Sequence, residues 1–377
     1  MAHQPIDPCA PSIPSTWSAG PGPDRSQVGR RPSAFSWTDA AAVGAIVLGT
    51  ALIRRQTRET FAGRTVLITG GSRGLGFAMA RAFAAEGANV AILARSQNQL
   101  NRAALWIEAE FGTAPMDLCA DIRDHAAAES AVRAVVRRYG RLDVLVNNAG
   151  VIQVTPFAHA QEEDFEESLA VHFWGPYFLV RAALPHLLDA HGRVVNIASV
   201  GGRISVPHLL PYSVGKFALV GFSEGLHHEL APHGVSVTTV TPHLMRTGSH
   251  RNALVRGQHE REAAWFALGS ATRLTALGAD RAARQILNAA RDRRASCTPG
   301  LQARLAVLAK TALPETAAAV GTLAASLLPA SLPTRAGDIG LRSRDLDLGR
   351  VAHLLATDAA RRWNQELAPD ERSGAHA

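Results

Sequence analysis

The stretch Thr65-Val66-Leu67-Ile68-Thr69-Gly70-Gly71-Ser72-Arg73-Gly74-Leu75-Gly76 constrains the fold more than any other. It opens as a short apolar run rich in β-formers, the pattern of a strand buried on both faces of a parallel sheet. A turn of glycines and small polar residues follows. After Gly76 the apolar positions Phe77, Ala80 and Phe83 recur at helical spacing. Strand, glycine turn and helix together bring backbone N–H groups and a helix N-terminus up to a pyrophosphate. Glycine turns also join strands to helices where nothing binds, so the rest of the chain must decide.

The rest alternates. Apolar strands are predicted at 65–69, 89–93, 143–147, 193–198 and 235–241, with a weaker one at 115–119. Helical stretches separate them, for example 75–86, 126–138 and 164–190. This is the pattern of an α/β chain built of βαβ units, a parallel sheet with helices on both faces. Ligands on such sheets bind at the carboxyl ends of strands near the switch point.

The chain has 377 residues, 47% of them hydrophobic, enough for one large core with extensions. Its formal charge is +7. No basic run is interleaved with aromatics, so nucleic acid is not an expected partner; the bias suits an anionic cofactor or a membrane surface. Cys9, Cys119 and Cys297 show no CxxC spacing, which argues against a disulfide framework and against a metal site.

Four regions are expected. Residues 1–36, rich in Pro, Ser and Gly, read as a disordered tail. Residues 37–58 form a hydrophobic segment. As a helix, 37–53 would reach only about 25 Å, the low end for spanning. It is either a buried or amphipathic helix capped by Thr38 or Asp39, or a membrane anchor. In the second case Arg54, Arg55 and Arg58 keep the following domain in the cytoplasm. The expected location is accordingly membrane-associated, with the catalytic domain in the cytoplasm. Residues 59–300 form the nucleotide-binding catalytic domain, and 301–377 a helical, partly apolar extension whose 301–332 stretch is a second candidate for membrane contact. Within the catalytic domain, 251–268 with Trp265 and Phe266 reads as a helical insertion, either a substrate lid or an ordinary surface helix.

Four further features carry chemistry. First, a NAD site normally has an acid about 20 residues past the turn to bond the ribose 2′-hydroxyl. Here Ala94 and Arg95 stand at that strand end, with Arg73 in the turn. Two guanidiniums and no carboxylate suit a 2′-phosphate. Second, Asp121-Ile122 follows the third strand, where the carboxylate either accepts from an adenine amino group or caps the next helix. Third, Asn147-Asn148-Ala149-Gly150 ends the fourth strand. Its small residues allow close approach to a ligand, and its amides can tie strand ends together. Fourth, Ser199 ends the fifth strand, and Tyr212 and Lys216 follow at helical i, i+4 spacing. An ammonium beside a phenol lowers its pKa toward neutrality and makes it a usable acid or base. Only two lysines occur in this arginine-rich chain, Lys216 and Lys310, so a titratable point charge is kept where a guanidinium would differ.

Together these residues resemble the short-chain dehydrogenase/reductase family, in its branch with the Thr-Gly-x-x-x-Gly-x-Gly turn. The resemblance covers about 63–247. It includes Thr69-Gly70, Gly74-Leu75-Gly76, Asp121, Asn147-Asn148-Ala149-Gly150, Ser199 thirteen residues before Tyr212, and Lys216. It implies a Rossmann-type doubly wound parallel sheet, a nicotinamide cofactor, and hydride transfer between an alcohol and a ketone or aldehyde. On that resemblance Tyr212 moves the proton, Ser199 orients the carbonyl, and Lys216 lowers the tyrosine pKa and binds the nicotinamide ribose. Gly70, Ser72, Arg73, Gly74, Leu75, Gly76, Arg95, Asp121, Ile122, Asn148, Ala149, Gly150, Pro242 and Thr247 would line the cofactor. Two positions depart from the family. His172 stands where Asn is usual, and would bond a carbonyl and a relay water in its place. Pro242-His243 replaces Pro-Gly, which puts the local backbone in question.

The expected protein is thus an NADP(H)-dependent oxidoreductase acting on a lipophilic small molecule, membrane-associated and able to form a homo-oligomer. The rival from another class is an NADP(H)-binding sensor or assembly protein without turnover, favoured only by His172 and His243.

Overall fold

The computed structural model describes residues 59–271, 276–330, 340–346 and 360–365. All lie in the compact unit Arg58–Ala377. Its first half alternates strand and helix: β1 (Thr65–Thr69), α1 (Gly74–Ala84), β2 (Asn89–Ala94), α2 (Gln97–Phe111), β3 (Met116–Cys119), α3 (His125–Tyr139) and β4 (Val144–Asn147). There follow α4 (Glu162–Leu169), α5 (Gly175–Asp189), β5 (Arg193–Ile197), α6 (Leu210–Leu230) and β6 (Ser236–Val240). The chain continues with α7 (His259–Ala271), α8 (Ala279–Arg291), β7 (Ser296–Cys297), α9 (Leu301–Ala312) and α10 (Pro314–Ser326).

The sheet runs β7-β6-β5-β4-β1-β2-β3, and every pairing in it is parallel. Alternate residues of β1 serve two cores. Val66 and Ile68 meet Phe77, Phe83, Leu100 and Ile286 on one face. Leu67 meets Val132, Leu179 and Leu187 on the other. Burial on both faces is why these strands read as unbroken apolar runs rather than alternating ones. The chain leaves β1 toward β2 on one side and returns to β4 on the other, so the crevice opens at the carboxyl ends of β1 and β4.

Local signals fix the helix ends. Ser96 caps α2 by accepting from the Gln99 N–H, and Asp124 caps α3 by accepting from Ala126 and Ala127 N–H. Asp121 is therefore not the cap. The predicted helix 164–190 is instead α4, a π-helical turn at 170–174, and α5. Pro176 lacks the N–H that would extend an unbroken ladder, and π turns of this kind recur at functional sites. The sequence pattern also missed β7, whose two residues are too short for a periodic signal.

The expected transmembrane helix and membrane-associated location need correction. No helix among the described residues is long and apolar enough to cross a membrane. The stretch 301–332 forms two helices of 12 and 13 residues, well short of a span. The segments 1–36 and 37–58, on which the tail and anchor expectations rested, lie outside the described residues. Of the helix expected at 347–362, only 360–362 is described, and it is helical.

Candidate active site

The glycine turn is a cradle that side chains would fill. Gly70 and Gly74 hold φ of +63° and +58°, values L-residues rarely adopt. A Cβ on Gly76 would lie 2.1 Å from the Gly70 carbonyl oxygen, and one on Gly71 would lie 2.7 Å from Ile92. The turn therefore folds back on itself and presents the start of α1 to the crevice. Among the described contacts, Leu75 and Gly76 at that start donate no backbone bond, as the first turn of a helix requires. Donors of this kind fit a pyrophosphate.

The Asn-Asn-Ala-Gly segment locks this turn to β4. Thr69 Oγ1 accepts from the N–H groups of Asn148 at 2.9 Å and Ala149 at 3.0 Å. Asn148 Nδ2 donates to the Thr69 carbonyl at 2.9 Å. One strand over, Asn147 Nδ2 donates to Asn196 Oδ1 at 2.8 Å. The amides tie strand ends together, as their residue types suggest.

At the β2–β3 edge, Arg95 is half exposed and 4.0 Å from the Asp121 carboxylate. Asp121 also accepts from the Arg123 side chain at 2.7 and 3.0 Å. Burial pushes the Asp121 pKa up, but the bonds from Arg123 and the charge of Arg95 outweigh it and leave the pKa lowered. Ile122 is buried, and a Cβ on Gly175 would meet its side chain at 2.7 Å. Two guanidiniums thus flank Asp121 at this edge, and Ala94 places no carboxylate at the end of β2.

At the other end of the crevice Ser199, Tyr212, Lys216 and His172 converge. Ser199 caps a short 3-10 turn by accepting from the Gly201 N–H at 3.0 Å and hydrogen-bonds the Tyr212 side chain. The Pro242 carbonyl accepts from Val200 N–H at 2.9 Å and supports the same turn. Lys216 Nζ donates to the Ile197 carbonyl at 2.9 Å and lies 5.8 Å from the centre of the Tyr212 ring. Burial lowers the Lys216 pKa from an ordinary 10.5 to about 7. It also raises the Tyr212 phenol above its ordinary value, with the Ser199 bond a lesser opposing influence. This corrects the expectation that the ammonium draws the phenol toward neutrality. Desolvation dominates both groups.

His172 sits in the π turn, fully buried. Its Nε2 accepts from the Val151 N–H at 3.3 Å, which assigns the proton to Nδ1, 3.2 Å from Ser168 Oγ. Burial, then the Lys216 charge, hold the ring well below the ordinary histidine range, so it is neutral. A Cβ on Gly150 would lie 3.1 Å from Nε2, and one on Gly215 would lie 2.8 Å from Nδ1. Two glycines thus make room for a ring larger than Asn. The ring also hydrogen-bonds the Ser168 carbonyl, the kind of partner expected of it, beside the Val151 N–H and the Ser168 hydroxyl. His243 takes an ordinary negative φ, which answers the question raised by the missing glycine. Thr247 is buried, its Oγ1 accepting from the Ser249 N–H at 3.3 Å.

Above Tyr212 lies an apolar cluster of Leu209, Phe266, Ile152, Val206, Leu244 and Trp265. A polar clip fastens it. His208 Nδ1 lies 2.9 Å from both oxygens of the buried Glu262, and Trp265 Nε1 donates to Glu262 at 2.7 Å. His208 holds a left-handed φ of +60°. The clip joins α7 to the loop before Tyr212. The insertion expected to be helical over 251–268 is helical in α7 only from His259 on, after a 3-10 turn at Ser249–Asn252 and a short strand at Leu254–Val255. Sequence reading missed His208 and Glu262, which stand 54 residues apart in no local pattern.

Sheet order, glycine cradle and strand-end residues together define a dinucleotide-binding oxidoreductase. The chain belongs to the short-chain dehydrogenase/reductase family, whose model, described as short chain dehydrogenase, matches residues 64–255. An uncharacterized oxidoreductase of Thermotoga maritima is 36% identical over 48% of this chain and 72% of its own length. The 11-beta-hydroxysteroid dehydrogenase 1A of Arabidopsis thaliana is 34% identical over 54% of this chain and 58% of its own. A dehydrogenase/reductase structure from Sinorhizobium meliloti aligns with TM-score 0.56 and 32% identity, over 63% of this chain and 94% of that one. The chain is therefore an enzyme acting on CH–OH groups of small molecules with NAD(P).

Proposed function

We propose that this enzyme interconverts a lipophilic alcohol and its ketone or aldehyde with NADP(H), Tyr212 serving as the proton donor or acceptor. The observation that carries the reading is the convergence of Ser199, Tyr212 and the buried Lys216 at the carboxyl end of β5. When bound, the nicotinamide supplies or accepts the hydride. Ser199 holds the substrate oxygen beside the Tyr212 hydroxyl, and that hydroxyl gives its proton to the oxygen as the carbonyl is reduced. A phenol kept protonated by burial is in the form that reduction requires. Lys216 binds the nicotinamide ribose, where an ordered donor fixes the ring against the substrate. Gly70, Ser72, Gly74, Leu75, Gly76, Asn148, Ala149, Gly150, Pro242 and Thr247 line the cofactor, and Asp121-Ile122 flank its adenine.

NADP(H) over NAD(H) is supported by Arg73 and Arg95 with no carboxylate at Ala94. A lipophilic substrate is supported by the apolar cover over Tyr212 and by the steroid substrate in the Arabidopsis relative's name. Fluorescence titration with NADPH and NADH tests the cofactor, and NADPH oxidation across steroid, fatty and aromatic carbonyls tests the substrate. Arg95→Asp with Arg73→Ala should weaken or reverse the preference for NADPH. Each charge-assisted contact is worth roughly 10- to 100-fold. Equal wild-type affinity for both cofactors would overturn the NADP(H) assignment.

A further inference from the structure

More than a hundred residues beyond the family match, a short segment of the C-terminal extension returns to the glycine turn. We propose that residues 360–365 brace the cofactor site, with Asn364 as a positioning residue that holds together the two walls flanking the adenosine ribose. The inference rests on the NAD(P) reading of the site, since the walls matter only if an adenosine half lies between them.

The walls are the turn after β1, carrying Ser72 and Arg73, and the start of α2, which follows Arg95 and Ser96. Asn364 Nδ2 donates to the Ser72 carbonyl at 2.8 Å and to the Gln99 carbonyl at 3.0 Å. One amide nitrogen thus spans from one wall to the other. Its Oδ1 accepts from Arg102 Nε at 3.1 Å, so both donors and the acceptor are committed. The residue is buried and holds a left-handed φ of +53°, a conformation Asn tolerates better than most residues.

The neighbours of Asn364 anchor it. The Trp363 carbonyl accepts from the Gly74 N–H at 2.8 Å, at the first position of α1. The buried Trp363 ring packs edge-on against Phe77, 6.5 Å between centroids, with the Arg81 guanidinium 5.8 Å from its centre. Gln365 Oε1 accepts from Asn252 Nδ2 at 2.8 Å, which links the segment to the loop after Thr247. Two glycines admit this approach. A Cβ on Gly74 would stand 2.7 Å from Gln365 Nε2, and one on Gly248, at φ +76°, would stand 2.9 Å from the Ala360 Cα. The segment takes up the Gly74 N–H and leaves those of Leu75 and Gly76 to the crevice. A site whose walls are already tied together loses less freedom when the ligand arrives.

The test uses the full-length chain. Asn364→Gly removes the amide and keeps the left-handed backbone free of strain. Asn364→Asp keeps the acceptor facing Arg102 and removes both donors. Affinities for NADPH and for 2′,5′-ADP, which carries only the adenosine half, are measured by fluorescence and calorimetric titration, with the melting temperature of each cofactor-free protein recorded alongside. Both variants should bind NADPH and 2′,5′-ADP about tenfold more weakly, by the same factor for the two ligands, since both lose the two bonds to the walls and Asn364→Gly loses the Arg102 bond as well. Wild-type affinity for 2′,5′-ADP in either variant overturns the proposal, whatever happens to NADPH. A wild-type chain that binds NADH as well as NADPH ends the 2′-phosphate reading alone; Asn364 is then judged on NADH and 5′-ADP by the same criterion. A wild-type chain that binds no adenine nucleotide overturns both.

Discussion

The floor and the roof of the crevice are built in opposite ways. The floor comes from contiguous pieces: the turn 69–76, the strand end 147–150, and Tyr212 with Lys216 on one helix. Each piece carries its own geometry, because glycine φ angles and an i, i+4 spacing are local properties. The roof hangs on a pair far apart in the chain, His208 with Glu262. The pieces of the floor are brought together by the sheet itself, whereas the roof's pair leaves no repeat in the sequence. Chemistry should therefore fail when the floor is altered, and substrate selection when the roof is.

The largest effect should come from Tyr212→Phe. It removes one hydroxyl and leaves the ring packed against His172, 5.5 Å between centroids. General acid–base assistance is typically worth 10²–10⁴-fold, so kcat should fall by about that much while NADPH affinity is kept. Stopped-flow NADPH oxidation beside a binding titration separates the two, and wild-type turnover would remove Tyr212 from the reaction. The Lys216 pKa adds a pH signature. Burial lowers it to about 7, so in the free enzyme the ammonium is present below that pH and lost above it. If the charged form binds the cofactor, kcat/KM should decline as pH rises through about 7, and anionic cofactor should push the inflection in kcat upward. A flat profile between pH 6 and 9 would show that the charge on Lys216 is not required.

A smaller effect is expected on the roof. Glu262→Gln keeps the shape and one acceptor but removes the charge paired with His208. Loss of a charge-assisted bond should loosen α7 and raise KM for a lipophilic substrate by roughly tenfold, with cofactor affinity unchanged. A change in cofactor affinity with no change in KM would reverse the division between floor and roof.

What could be read from the sequence follows the same division. The six longer strands of the sheet, the glycine turn and the strand-end residues were legible because each is a local pattern with a physical requirement. The break at His172 was not, since a π turn inserts one residue into a run whose apolar spacing still looks helical. The direction of the Tyr212 shift was also hidden. Spacing put a cation near a phenol, but burial, which only the packed structure reveals, sets the direction of both shifts. Asn364 carried no signal at all, because its partners Ser72 and Gln99 precede it by 292 and 265 residues.

His172 packs against Tyr212 and bonds Val151, and its replacement by Asn should give the smallest effect. The ring is neutral, buried, and bonded to Val151 N–H on one side and Ser168 on the other. Val151 follows the Asn-Asn-Ala-Gly strand end, so the ring fixes the backbone where the nicotinamide half would lie. Asn carries both an acceptor and a donor and can serve the same two partners on a shorter side chain. His172→Asn should therefore keep kcat within about tenfold of wild type, as restoration of the family's usual residue would. Its stability should fall modestly, because Gly150 and Gly215 leave space that the smaller side chain does not fill. Replacement by Leu is the informative contrast: it fills the space but leaves the Val151 N–H without an acceptor, and a buried donor left unpaired costs about 1–3 kcal/mol. If Leu keeps full turnover, His172 only fills space. If Leu loses turnover and Asn retains it, the bond to Val151 is what the reaction needs.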